Sequence, residues 1–367
     1  MDVLHEFRDR AVAEALARRI AEVATGRPFT FMEVCGTHTM AMHRFGLHAM
    51  LPRNVRLLSG PGCPVCVTPN FLVDTAIAYA RRDDVTLATF GDMLKVPGSS
   101  SSLTAEKARG ADVRLVYSPT DAVEFARKSP DRHVVFFAIG FETTSPTCAA
   151  AVLEADEAAL ENFCVVAAGK VLAPALEALA MGEVRVDGFV CPGHVSVVTG
   201  FEIYRNVVEQ HGIPCVIAGF EPVDLLRAIL MLAEQAAAGE ARIENEYSRV
   251  VRPEGNRIAQ QMIHKVFEPV DSEWRGIGTI PASGLAVREA FGRRDALRRL
   301  PVEVEPTREH PDCICGDVLK GVKTPLECTL FGSACTPAHP VGACMVSSEG
   351  TCAAYYKYGG DRSDAAQ

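Results

Sequence analysis

From about residue 29 to 240, short apolar runs rich in β-branched and aromatic residues alternate with longer Ala- and Leu-rich runs at helical spacing. Strands are predicted at Phe29–Val34, Val55–Leu58, Val85–Phe90, Val113–Tyr117, His133–Ile139, Phe163–Ala167, Gly188–Cys191 and Pro214–Ala218. Helices are predicted at Asn70–Arg81, Asp121–Lys128, Pro146–Ala155, Ala173–Ala180, Gly200–Gln210 and Pro222–Ala238. Such alternation means βαβ units and a mostly parallel sheet. The strand runs lack strict polar alternation, as expected of strands covered on both faces. The pattern predicts an α/β protein with two Rossmann-like parallel-sheet lobes, over residues 1–120 and 121–240. Beyond 240 the periodicity fades, and residues 241–367 are expected to form an irregular C-terminal domain. From Asp312 to Tyr358 the chain is dense in Cys, Gly and Pro. A segment of that kind builds little core alone, and a bound metal would supply the missing cross-links.

The turns at the ends of the strands carry the chemistry. Phe29–Val34 runs into Cys35-Gly36-Thr37-His38, and Val55–Leu58 into Gly60-Pro61-Gly62-Cys63-Pro64-Val65-Cys66. Val85–Phe90 runs into Gly91-Asp92, and His133–Ile139 into Gly140-Phe141-Glu142-Thr143-Thr144. Gly188–Cys191 leads to Pro192-Gly193-His194, and Pro214–Ala218 to Gly219-Phe220-Glu221. Parallel α/β sheets bind ligands outside the carboxyl ends of their strands. Asp92, Glu142, Thr143, Thr144, His194 and Glu221 are thus candidates for proton transfer or ligand orientation, or for helix capping. Ser145-Pro146 and Thr68-Pro69 each read as a helix cap followed by a first-turn proline.

Thirteen cysteines in 367 residues is a high and odd number. The N-terminus, Met1–Ile20, mixes charges at helical spacing and lacks a signal peptide's apolar core. A reducing cytoplasmic compartment is therefore expected, and metal or redox chemistry is favoured over a disulfide framework. Cys35, between a strand and a helix, meets the positive end of a helix dipole, which favours thiolate. Thr37 and His38 are placed to donate hydrogen bonds to a ligand held there. Cys63 and Cys66 are spaced for a redox dithiol or for half of a zinc site. Six more cysteines lie between Cys313 and Cys352, and their spacing indicates a metal or cluster site without naming ligands or metal. Cys148, Cys164, Cys191 and Cys215 read as small buried hydrophobes. A net charge of −9 without a basic cluster argues against nucleic acid or anionic membrane as partner. No apolar run reaches the ~18 residues of a membrane span.

Together the motifs Cys35–His38, Gly60–Cys66, Gly140–Thr144, Cys191–Ser196 and the tail through Ser347-Ser348-Glu349-Gly350-Thr351-Cys352 resemble the HypD family of [NiFe]-hydrogenase maturation factors. The resemblance implies a cytoplasmic scaffold, rather than a conventional turnover enzyme, that assembles an Fe(CN)2CO group with the chaperone HypC and the cyanide-delivering HypE. It implies that Cys35 holds the transient iron and that Cys63 and Cys66 are a redox pair. The family's gaps of 14, 6 and 16 residues fall on Cys313, Cys328, Cys335 and Cys352 as ligands of a [4Fe–4S] cluster, with Cys315 and Cys344 outside the set. Two other readings stand beside it: a thiol–disulfide oxidoreductase acting on proteins, and a zinc-stabilised interaction protein. Nothing in the sequence signals self-association, so the chain alone is expected to be a monomer.

Overall fold

The computed structural model describes residues 6–359. All eight expected strands are present: β1 (Phe29–Glu33), β2 (Val55–Ser59), β3 (Val85–Thr89), β4 (Val113–Leu115), β5 (His133–Gly140), β6 (Phe163–Gly169), β7 (Gly188–Pro192) and β8 (Cys215–Ala218). Three more complete the set: β9 (Ile243–Asn245), β10 (Phe267–Trp274) and β11 (Gly278–Val287). One sheet has the order β2-β1-β7-β8-β9, the other β4-β3-β5-β6, and every pairing within them is parallel. β5 shows the two-sided burial that its sequence requires, with every residue after His133 buried.

Sheet membership does not follow the expected spans. The first sheet takes β1 and β2 from the N-terminal segment, then β7, β8 and β9 from beyond residue 187. The second sheet is the intervening stretch, β3 to β6, so its strands straddle the boundary expected at 120. The chain crosses between sheets twice. The outward crossing runs through the helices Pro64–Val67 and Asn70–Ala80, so the Cys63/Cys66 turn lies where the lobes meet.

Three local readings change. The expected helix Gly200–Gln210 starts late: Gly200 follows a separate helix, Gly193–Thr199, and after a short turn at Glu202–Tyr204 the helix is Arg205–His211. Gly200 has φ +75°, and a Cβ there would stand 2.1 Å from the Pro253 carbonyl oxygen, so this glycine ends a helix rather than starting one. Thr68 ends the Pro64–Val67 helix, its hydroxyl donating to the Pro64 carbonyl at 2.7 Å. Ser145 likewise does not cap: it is already helical, and its hydroxyl donates to the Phe141 carbonyl at 3.0 Å.

The C-terminal segment does not stand apart. The hairpin β10–β11 buries Trp274 completely, with Nε1 donating to Ser283 Oγ at 2.8 Å. The buried Arg275 at its turn reaches across to the crossing segment, donating from Nε to the Thr68 carbonyl at 2.9 Å. Cys315, Leu319, Cys335, Ala343, Cys344, Met345 and Cys352 belong to the same hydrophobic core as Met32, Val34, Leu58, Cys63 and Cys66. The Cys-rich tail is thus irregular in backbone but anchored by burial in the first lobe. No helix among the described residues is long and apolar enough to cross a membrane.

Candidate functional site

The carboxyl ends of both sheets border one cleft of about 630 Å³. Cys35, Thr37, Gly62 and Pro64 form its floor, Phe141, Thr143 and Thr144 one wall, and His194, Tyr247 and Val250 the other. Glu349 of the tail closes one side. Four of the six strand-end motifs therefore converge. Asp92 does not: it is exposed and outside the cleft, because β3 ends one strand away from the lobe contact. Glu221 is a cap in a reciprocal capping box, its N–H donating to Asp224 Oδ2 at 3.3 Å, and its carboxylate is in an ion pair with Arg8.

Cys35 caps the helix Gly36–Arg44 and is 8 % exposed. The helix dipole alone would favour its thiolate. Burial decides the matter instead, pushing the thiol up to about 12, and the neighbouring Glu349 and Glu33 add to the rise against the backbone N–H groups of His38 and Thr37. Glu33 ends β1 fully buried. Its carboxylate accepts from the Thr39 hydroxyl at 2.5 Å and from the Cys35 N–H at 3.3 Å, and burial holds it protonated up to about 8.

Of two expected ligand donors, one is committed elsewhere and the other does not reach the cleft. Thr37 Oγ1 donates to Glu349 Oε1 at 2.7 Å. His38 is buried and packs on Phe220 with ring centroids 4.9 Å apart; burial lowers its pKa to about 4, against the opposing pull of the Ala218 and Gly219 backbone. It shapes the turn beneath the cleft rather than facing it. His194 does face the cleft, stacked on Phe220 at 3.9 Å, and its partial burial lowers its pKa.

Glu142 sits just behind the wall. Its Oε1 accepts from the Leu172 N–H at 2.9 Å, Oε2 is buried without a partner, and burial raises its pKa to about 7. Such a group contributes its full stability below its unfolded pKa of about 4.5 and loses it as pH rises toward 7. Across that window the stability of wild type relative to Glu142→Gln is expected to fall by about 1–3 kcal/mol. Denaturant midpoints at pH 4.5 and 7.5 check this; a constant difference would contradict the raised pKa.

The sulfurs form a line. Cys63 caps the Pro64–Val67 helix, its sulfur accepting from the Cys66 N–H at 3.3 Å. The Cys66 sulfur lies beside those of Cys344 and Cys63. Cys344 in turn lies beside Cys315 and Cys352, whose thiols donate toward it and lower its pKa. Cys315 neighbours Cys313. All thirteen cysteines are free thiols. Cys315 and Cys344, outside the expected ligand set, are thus the central links between the Cys63/Cys66 turn and the tail. Their burial at 7 % and 0 % is the signal that spacing cannot supply.

Of the four expected cluster ligands, Cys313, Cys328 and Cys335 share one neighbourhood, whereas Cys352 lies beside Cys315 and Cys344. Cys335 lies near Cys313, its sulfur accepting from the Val341 N–H at 3.3 Å, the type of N–H···S bond that stabilises metal thiolates. Cys328 rests against the Asp312 carbonyl, one residue from Cys313. A Cβ on Gly342 would stand 2.4 Å from the Cys315 sulfur and 2.7 Å from that of Cys313, so this glycine keeps space open beside both. Among the described residues, no three His, Cys, Asp or Glu are close enough to grip one ion as they stand.

A family model described as the hydrogenase formation hypA family, HypD, matches residues 11–359. The chain belongs to the HypD family. It is 48% identical over 373 residues to the hydrogenase maturation factor HypD of Azotobacter vinelandii, covering 99% of this chain and 98% of that one. It is 47% identical over 369 residues to HypD2 of Bradyrhizobium diazoefficiens, covering 98% and 97%. An archaeal relative, a putative hydrogenase expression/formation protein of Methanocaldococcus jannaschii, is 42% identical over 351 residues, covering 95% and 98%.

Proposed function

We propose that this HypD-family chain is a hydrogenase maturation factor on which the Fe(CN)2CO group of a [NiFe]-hydrogenase is assembled, with a HypC-type chaperone and a HypE-type cyanide donor as partners. The observation that carries this reading is the position of Cys35. Its residue borders an open cleft between two lobes, and the Cys63/Cys66 turn is packed directly against its backbone. Iron bearing cyanide and carbon monoxide is the cargo, and such a soft centre suits a thiolate ligand.

The sulfur line supplies electrons to the cleft. A disulfide at Cys63–Cys66 is opened when Cys344 attacks the adjacent Cys66 sulfur; the Cys66–Cys344 bond forms, Cys63 leaves, and the proton passes from Cys344 to Cys63. Cys315, beside Cys344, repeats the exchange one step further out. A [4Fe–4S] cluster held by Cys313, Cys328, Cys335 and Cys352 would supply the electrons singly. A reducing cytoplasm would keep the thiols that this exchange needs, and the chain is expected to be a monomer until its partners are added.

The test is Cys35→Ala in the anaerobically purified complex with the chaperone. Infrared bands of iron-bound cyanide and carbon monoxide are expected to disappear, and undiminished bands would remove Cys35 as the ligand. Metal and sulfide analysis of the same samples separates an iron–sulfur tail from a zinc-stabilised one.

A further inference from the structure

A threonine hydroxyl has one proton to give. In Thr37 that proton is already given to Glu349, at 2.7 Å. The tail is pressed onto this spot: a Cβ on Gly36 would stand 2.5 Å from Glu349 Cβ and 2.6 Å from the Glu349 carbonyl oxygen. Glu349 lies on the cleft beside Cys35 and Thr37. The floor of the cleft therefore presents oxygen lone pairs and a carboxylate, which repel a hydrogen-bond acceptor.

The wall at the end of β5 is the reverse. Thr143 is exposed and Thr144 partly so, and both border the same cleft. Their neighbours' hydroxyls are committed, Ser145 to the Phe141 carbonyl at 3.0 Å and Thr147 to the Thr144 carbonyl at 2.8 Å. Thr144 makes no side-chain cap on the helix Ser145–Glu157. Among the described residues, neither the Thr143 nor the Thr144 hydroxyl is engaged, so two protons remain free to face the cleft.

We propose that the cleft is polarised, with Thr143 and Thr144 donating to the nitrogen end of cyanide on the iron held by Cys35, and with Glu349 as a positioning residue that keeps the Thr37 proton turned away. The inference rests on Cys35 being the iron ligand. Cyanide bound through carbon leaves a basic nitrogen outward, whereas the outer oxygen of bound carbon monoxide is a poor acceptor. Donors on the β5 wall against acceptors on the floor thus sort the two kinds of diatomic ligand by direction, placing cyanide toward the wall and away from Glu349.

Infrared spectra of the anaerobic full-length protein with its copurified chaperone test this. Loss of a hydrogen bond at the cyanide nitrogen lowers the cyanide stretching frequency. In the double variant Thr143→Val/Thr144→Val the cyanide bands are expected to move to lower wavenumber and the carbonyl band to move less. Thr37→Val is expected to leave the cyanide bands in place. Glu349→Ala frees the Thr37 proton and is expected to raise them, while Glu349→Gln, whose amide oxygen still accepts that proton, restores the wild-type positions. Unmoved cyanide bands in the Thr143/Thr144 variant, or an equal shift in Thr37→Val, would overturn the polarity and leave Cys35 as ligand intact. Absence of iron-bound cyanide bands in the wild type would overturn the assignment of Cys35 and the polarity with it.

Discussion

In Cys344→Ser, a disulfide placed at Cys63–Cys66 by one equivalent of a thiol oxidant is expected to stay there. In the wild type it is expected to spread to Cys66–Cys344 and Cys344–Cys315. The reason is adjacency: Cys344 is the sulfur that lies beside Cys66 on one side and beside Cys315 and Cys352 on the other. Exchange needs a thiolate nucleophile in line with a disulfide, and a serine hydroxyl does not ionise at these pH values. The rate of transfer to the tail should fall by roughly 10²-fold or more, as for removal of other essential nucleophiles. Trapping by rapid alkylation, with mass mapping of the bridged peptides, reads the outcome. Equal redistribution in the variant would show that electrons reach Cys66 by another route. The serine is nearly isosteric, and Cys344 is fully buried in the shared core, so folding is checked in parallel by denaturation.

Much of this arrangement is visible in the amino-acid sequence, and the parts that are not have physical causes. Buried strands of parallel sheets write themselves as continuous apolar runs, so β1 to β8 are legible within a residue or two of their ends. β9, Ile-Glu-Asn at a sheet edge and only half-buried, lacks that signal. β10 is also hidden, because most of it is exposed, it carries Glu268, Asp271 and Glu273, and a proline interrupts it. Strand order is a long-range property: nothing local in Gly188–Pro192 says that it pairs with β1 rather than with its predecessor β6. At the site, strand-end glycines mark the right turns, but a motif does not show which way a side chain points. His38 turns into the core and Thr37 toward the tail for reasons located some 180 and 312 residues away, at Phe220 and Glu349. Glu33 is a legible signal that no motif covers, an acid ending an otherwise apolar strand, where only a hydrogen-bonded and protonated carboxyl can be buried.

Gly62→Ala is expected to damage the site more than any change that leaves its thiols in place. A Cβ at this position would stand 2.3 Å from both the Cα and the N of Cys35. The obstructing atoms are backbone, so no rotamer relieves the overlap, and the two loops must separate. They are also joined, since the Gly36 N–H donates to the Gly62 carbonyl at 3.1 Å, and that bond is strained by the same movement. Overpacking of this kind costs about 1–3 kcal/mol, and more where backbone meets backbone. The functional loss should exceed the loss of stability, because widening the gap by even ~1 Å takes Cys35 out of working distance of the neighbouring turn. The denaturation midpoint is expected to drop, and the iron-bound cyanide and carbonyl bands to vanish in protein that still folds. Gly26→Ala is the matched control: nothing lies within 4 Å of its Cβ position, and its stability should remain within roughly 0.5 kcal/mol of wild type. If Gly62→Ala kept both midpoint and bands, the close approach of the two loops would have no part in holding iron at Cys35.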